Sequence, residues 1–417
     1  MVLLITLVIL VILATLGYTL SVRVAARRHR DQYIVDYGAA RYACASGMKY
    51  ALASAATLEF ELISRPNEPD FSDVFALSEV DYQKLLVQME QYLAEHKLTD
   101  ANDREEATDS NDASFEDANE MDARSSGGRK RAAIPGPYGP PWPLVTEPVE
   151  LEIGSAKVTI TVEDENAKYP LGWALLADDK LRDRAVAGWT NFCEWMGYSA
   201  QEITELNADL VAIGAAKPFK MEFKPETMQA EAPAPAAPRA RVTRTTASSA
   251  ATRRTVGKKP ISVQEQVQKQ NTEFSKLFHS SMLNAAMLSR PSIESDSRKE
   301  SAMKYLGLWA ARHVNINTAP RHVLEAAMSF GSVIHAPKIA EAIIQQRKIA
   351  PITDVNEVKK TVLGYSDSIE DSRDFLVTSS TVFSIRVTAV SGAAKATAVA
   401  AITKEGGKVQ PIAVLCD

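Results

Sequence analysis

The first twenty residues, MVLLITLVILVILATLGYTL, carry no charge and no proline. At about 1.5 Å per residue they make a rod of about 30 Å, the thickness of a bilayer's hydrocarbon core. A cleavable secretory signal would want a basic leading segment, a shorter apolar run and small residues at a cut site. Here nothing basic precedes the run and SVRVAARRHR follows it, so a membrane span over 1–20 is expected. Arg23, Arg27, Arg28 and Arg30 lie just beyond. Taken alone, the positive-inside rule puts the following chain in the cytoplasm, and a basic leader ahead of Met1 would reverse that balance.

Helical composition continues past the span. Between Ser21 and Leu62 there is no proline, and Gly38 and Gly47 are the only glycines. One helix of about 60 residues is therefore expected, with 21–62 as the continuation of the span and Arg65-Pro66 as its stop. The small side chains of AARYACASGMKYALASAA would let another element pack close. A helical segment follows within 63–97, where Leu85, Leu86, Met89 and Leu93 share one face of residues 78–97. Residues 98–143 read as a linker. From Thr99 to Arg124 ten acids face two basic residues, a composition that cannot bury enough apolar surface to offset its ordering entropy, and PGPYGPPWP ends the stretch.

The period then changes to two. Val149, Leu151 and Ile153, then Val158, Ile160 and Val162, alternate with polar residues around Gly154-Ser155, which predicts a β-hairpin within 144–168. A first helical block spans 169–224, continuous from about 173 to 210, with Trp189, Phe192, Trp195 and Met196 as core candidates. An Ala/Pro-rich basic linker covers 225–261; from Ala230 to Pro260 it carries seven basic residues and one acid. A second helical block occupies 262–377, with helices at 262–289 (Val267, Phe274, Leu277, Phe278, Met282) and 299–312. Strands return in 378–417, where Phe383, Ile385, Val387 and Ala389 alternate with polar neighbours, followed by runs at 395–403 and 408–416. Strands that flank helices in sequence imply an α+β fold, a helical domain inserted into a small antiparallel sheet with the long N-terminal helix over one face.

Composition narrows the functional classes. The net charge of −5 gives no global reason for a nucleic-acid partner. Three cysteines, Cys44, Cys193 and Cys416, are too few for a disulfide scaffold; one bridge with a thiol left over and three buried thiols both fit. The six histidines show no metal-ligand spacing such as H-E-x-x-H, and there is no nucleophile elbow, P-loop or dinucleotide fingerprint, so nothing argues for an enzyme, a cofactor or a small-molecule substrate.

The stretch HVNINTAPRHVLEAAM, followed by KIAEAIIQQRKIAPITDVNEVKKTV, resembles the paired helix-hairpin-helix segment of the general secretion pathway protein K family, the large minor pseudopilins of type II secretion systems. The family's [IV]-N-[IV]-N-T-A-P start corresponds to Val314, Asn315, Ile316, Asn317, Thr318, Ala319 and Pro320. Its second helix corresponds to Ala342, Ile343, Ile344 and Arg347, and its turn to Pro351–Thr353, the whole motif covering 313–365. VEDENAKYPLGWALL resembles the family's strand-to-helix passage, with Asp164, Lys168 and Leu171 in place. Most pilins carry glutamate at the fifth residue; this family lacks it, as Ile5 does here.

The resemblance implies a pilin-like fold and a single-pass inner-membrane protein with its bulk in the periplasm. It implies minor pseudopilins I and J as partners, and a tip position at which the helical domain blocks further addition. It also implies calcium, but the D-W-x-D-x-D passage should fall near 203–215, where ITELNADLVAIGA has only Asp209, so no ligand set is identified. Each motif has a plain structural reading as well. Asn317 and Thr318 suit an N-cap and Pro320 a first helical turn. Glu163, Asp164 and Glu165 would solvate a strand end, with calcium as the alternative. The alternative function is a membrane-anchored DNA-binding protein of competence type, using the hairpin and the basic linker. That reading wants a G-[IVL]-G turn where MSFGSVIHAPK stands.

Overall fold

The computed structural model describes residues 2–55, 62–64, 75, 77–88, 91, 132–133, 142–216, 272–296, 298–309, 311–405 and 408–416. Helix α1, Val2–Ala55, runs unbroken for 54 residues. Residues 56–61 lie outside the described residues, and at the expected end Leu62–Ser64 is extended and pairs in parallel with Ala132–Ala133, inside the stretch read as linker. The rest of the two linkers, apart from 142–143, lies outside the described residues, as do Val267, Met89 and Leu93.

A hairpin, a three-stranded meander and α1 form the first layer. Strand β1, Val149–Ile153, turns at Gly154 (φ +64°) into β2, Ala156–Asp164. Strand β2 pairs antiparallel with β3, Val382–Ser391, which returns through Gly392 (φ +53°) into β4, Ala394–Glu405, and then β5, Lys408–Cys416. The sheet order is β5-β4-β3-β2-β1. Strands separated by more than 200 residues thus lie side by side, with Ile160 opposite Val387 and Val162 opposite Ile385.

One face of this sheet is covered by α1. Ala40, Ala43, Cys44, Met48, Ala51 and Ala55 recur every three or four residues and bury against Val158, Ile160, Phe383, Ile385, Val387 and the alanines of β4. Small residues on both sides let the backbones approach closely. A Cβ on Gly47 would lie 2.9 Å from Val158 Cγ1 and 3.0 Å from Val387 Cγ1. The opposite face is partly covered by Trp309, which packs with Val382 and Ile412.

The second layer is the insert between β2 and β3. Its helices are α2 (Asp179–Trp195), α3 (Ala200–Ala215), α4 (Ala285–Ser289), α5 (Arg321–Met328), α6 (Ala336–Ile349), α7 (Val355–Thr361) and α8 (Ser366–Ser372). They share one core centred on Trp173, Trp189, Phe192, Leu324 and Phe330.

The expected helix over 173–210 is broken. Leu171–Leu175 is a 3-10 turn, Asp178 caps α2, and Gly197 (φ +72°) lets the chain restart at Ser199, which with Glu202 forms a reciprocal cap. Among the described residues of 299–312 the expected helix is reduced to a 3-10 turn, Ala302–Tyr305. Lys299–Ser301 and Leu306–Gly307 are extended, and the latter pairs in parallel with Tyr169–Pro170. Local helix propensity there yields to tertiary pairing and to the Tyr305 hydroxyl bonding Glu300 at 2.7 Å. Of 262–289, residues 272–278 and α4 are helical, with turns between them.

Cys44 and Cys193 are buried in the two separate cores. The Cys44 thiol donates to the Val387 carbonyl at 3.4 Å.

Candidate functional site: the sheet–insert junction

The seven motif residues Asn315, Ile316, Asn317, Thr318, Ala319, Pro320 and Arg347 are all buried and stand together where the insert meets the sheet. Asn315 sits on a two-residue strand, Val314–Asn315, paired in parallel with Leu376–Val377 just before β3. Its Nδ2 donates to Ser380 Oγ at 2.9 Å, and its Oδ1 accepts from the Asn317 amide at 2.9 Å. The Asn317 side chain ties together two other segments. It donates to the carbonyls of Ile352 at 2.8 Å and Thr378 at 2.9 Å, and accepts from the Ile352 amide at 2.9 Å. Arg347, projecting from α6, donates Nη1 to the carbonyls of Ile316 at 3.0 Å and Ala319 at 2.7 Å.

The expected N-cap roles are corrected by this geometry. Pro320 itself is the cap residue of α5, with no side-chain capping bond. Thr318 is instead turned away to donate to Asp164 Oδ2 at 2.8 Å. The buried carboxylate is a strong acceptor for the hydroxyl proton and orients the side chain toward the sheet.

The acidic triad is likewise corrected. Asp164 and Glu165 are fully buried rather than solvating a strand end. Asp164 accepts from the Asn166 amide at 2.9 Å and from the hydroxyls of Thr318 and Ser380, both at 2.8 Å. Asn166 accepts from the amides of Thr381 and Val382 and donates to the His313 carbonyl at 2.9 Å. The Lys168 ammonium lies 2.7 Å from both Glu163 Oε2 and Glu165 Oε1, and Ser384 donates to Glu165 at 2.6 Å.

Residues 163–168, at the entry to the insert, therefore clasp its interior, 313–318, on one side and its exit, 380–384, on the other. Burial alone would raise Glu163, yet the Lys168 ammonium outweighs it and holds the carboxyl below its usual range. Burial, with repulsion from Glu163, keeps the Glu165 carboxyl above its usual range. Burial works against the charge on Lys168, but the two carboxylates together hold its proton more tightly than usual.

The hairpin turn between α5 and α6 is not arranged to cradle phosphate. The amides of Ser329, Phe330, Gly331 and Ser332 all bond carbonyls at the end of α5, and that of His335 bonds Ser332 Oγ. Helix α8 covers Gly331 so closely that a Cβ there would strike the Ser368 carbonyl. Where the calcium passage was expected, residues 203–215 form regular helix, and Asp209 accepts from the Asn284 amide at 3.2 Å. Among the described residues no group of three or more His, Cys, Asp or Glu is placed to hold a metal ion.

Sequence reasoning missed Asn166, Ser380 and Ser384. The signal in reach was the pairing of D-E-N with Lys168, an acidic run with its own cation one helical turn on.

The second functional element is the free part of α1. Among the described residues, α1 is the one helix long and apolar enough to cross a membrane, and none of its most apolar stretch is buried.

No protein-family profile matches the chain, and no curated protein matches it. One solved structure it resembles is the GspK-GspI-GspJ complex from the type 2 secretion system of enterotoxigenic Escherichia coli. The likeness is at 12% identity, covers 66% of this chain and 84% of that chain, and has a TM-score of 0.36. It is too remote to assign a function.

Proposed function

We propose that this chain is a minor pseudopilin of a type II protein secretion system, anchored by α1 in the inner membrane with its folded body in the periplasm. One observation supports this above the others. Strands on either side of a 217-residue interval, from Asp164 to Val382, close one sheet under the distal part of α1, while the proximal part stays bare. Such a molecule can be held in a bilayer by one end of a helix and be drawn into a fibre by the same helix.

Its task is physical rather than chemical. The apolar rod moves from lipid to a bundle of neighbouring apolar helices, and in both places on the order of 0.8 kcal/mol per CH₂ holds it out of water. The insert is a bulky, separately cored body clasped to the sheet by residues 163–168, and it caps the tip by obstructing further subunits. Ile5 suits a tip position, because a carboxylate there would seek the N-terminus of a subunit above it. Minor pseudopilins I and J are the partners this reading requires.

The test is isolation of the full chain from its native membranes together with an export assay. Co-isolation with two smaller pilin-like subunits, and loss of secreted protein from the medium on deletion, are expected. Intact export in the deletion strain would refute the role.

A further inference from the structure

Four arginines follow the apolar rod at once, and the described protein leaves them uncovered. Arg23, Arg27, Arg28 and Arg30 are exposed on α1, and no acidic residue precedes Asp31. At 100° per residue, Arg23, Arg27 and Arg30 fall within a sector of about 60° and Arg28 stands about 100° from its nearer edge, so the four reach round more than one side of the helix. None of the four forms an ion pair among the described residues. The folded body first meets α1 at Asp36, beneath which Gly392 is packed, and the buried face begins only at Ala40.

With Leu20 at the edge of a bilayer's hydrocarbon, the helix rise puts Arg23 about 5 Å and Arg30 about 15 Å beyond it. Val22 and Val24 sit among them, half exposed, so the apolar surface continues into the basic turns. Long arginine side chains lean back along such a surface to bring their guanidinium groups to phosphate depth, where the planar fork pairs with phosphate oxygens.

We infer that Arg23, Arg27, Arg28 and Arg30 form a collar that binds the headgroup phosphates of anionic phospholipids in the leaflet next to the folded body. This rests on the reading of Val2–Leu20 as a membrane span. The collar holds the subunit at a fixed height and resists its extraction until assembly supplies other partners. The acidic stretch 99–124 of the same chain is the competing occupant, but it has no continuity with the rod, whereas lipid headgroups necessarily surround it.

The full chain reconstituted in phosphatidylcholine vesicles tests this, using spin-labelled phosphatidylglycerol and phosphatidylcholine as probes. Resistance to alkaline carbonate extraction first establishes that the chain is integrated; extraction would refute the membrane reading itself. In the integrated protein a preference for phosphatidylglycerol of about fivefold or more at low ionic strength is expected, about what one arginine near an anionic surface provides, falling as salt is raised. The variant R23Q/R27Q/R28Q/R30Q should integrate equally and lose the preference. Equal association of the two lipids with the wild-type chain, or an undiminished preference in the variant, would overturn the collar. A preference that emerges only when residues 100–123 are deleted would assign the arginines to the acidic stretch and overturn it too.

Discussion

Thr318 donates its hydroxyl to Asp164 across 2.8 Å, although 154 residues separate the two in sequence. The bond joins the end of the strand that leaves the sheet to the start of the hairpin motif deep in the insert. Ser380, at the chain's return to the sheet, donates to the same carboxylate oxygen. One buried side chain thus registers entry, interior and exit of the insert.

Removing that acceptor strands three donors out of water. Asp164→Ala should cost about 3 kcal/mol in unfolding free energy, read from the fluorescence of buried Trp142 and Trp173 during denaturant unfolding in detergent. A double-mutant cycle of Asp164→Ala with Thr318→Val should show a coupling of about 1 kcal/mol, because each change removes the same bond. Strict additivity would mean that the pair is not coupled.

Arg347 tests the hairpin motif separately. Its guanidinium satisfies two buried carbonyls, and Arg347→Met keeps the stem while removing both donors. A loss of about 2 kcal/mol is expected in the same assay, with Arg347→Lys recovering part of it. Wild-type stability in the methionine variant would contradict the structural role of the motif.

The two glycines in the globular half of α1 should respond with opposite signs. Nothing lies within 4 Å of a Cβ built on Gly38, so Gly38→Ala should stabilise the chain by about 0.5–1 kcal/mol through helix propensity. Gly47→Val would drive its methyls into Val158 and Val387 and should cost about 1–3 kcal/mol. Thermal unfolding of the two variants beside wild type checks both.

Acid sensitivity should trace in part to His322. It is buried among Phe75, Phe192 and Tyr305, its Nε2 lacks a hydrogen-bond partner, and burial pushes its pKa down to about 3. Between the ordinary histidine value of about 6.5 and that folded value, the unfolded chain binds the extra proton. The stability held by the neutral ring is therefore complete above the ordinary value. It declines as pH falls toward the folded one, at up to about 1.4 kcal/mol per pH unit. Chemical unfolding from pH 7 down to pH 4 should show this slope reduced in His322→Leu; parallel wild-type and variant curves would contradict it.

The sheet was legible because alternation is a local signal. Phe383, Ile385, Val387 and Ala389 bury one face of β3 as the pattern implied, and the small residues around Gly47 announced a close partner before the partner was known. The break at Gly197 and the reciprocal Ser199–Glu202 cap were also within reach, since glycine followed by S-x-x-E is a helix restart. What local pattern could not reveal was long-range competition. Thr318 and Asn317 have the chemistry of caps, and only the fold brings Asp164 and the carbonyls of Ile352 and Thr378 close enough to take them. The triad 163–165 read as solvated because charges usually are; its counter-ion Lys168 is local, but its hydroxyl donors Thr318, Ser380 and Ser384 come from distant stretches of chain. Residues 299–312 carry helix-forming side chains, but pairing with Tyr169–Pro170 holds Leu306–Gly307 extended.

In a minor pseudopilin, α1 would serve as a packing surface for other subunits as well as an anchor. A photo-crosslinking residue at Tyr42, which is 73% exposed on the side of the helix away from the sheet, reports on this directly in native membranes. Adducts with small subunits that each carry their own apolar N-terminal helix are expected, lost when the secretion system is disassembled. Adducts confined to lipid or to other copies of this chain, unchanged by disassembly, would contradict that role.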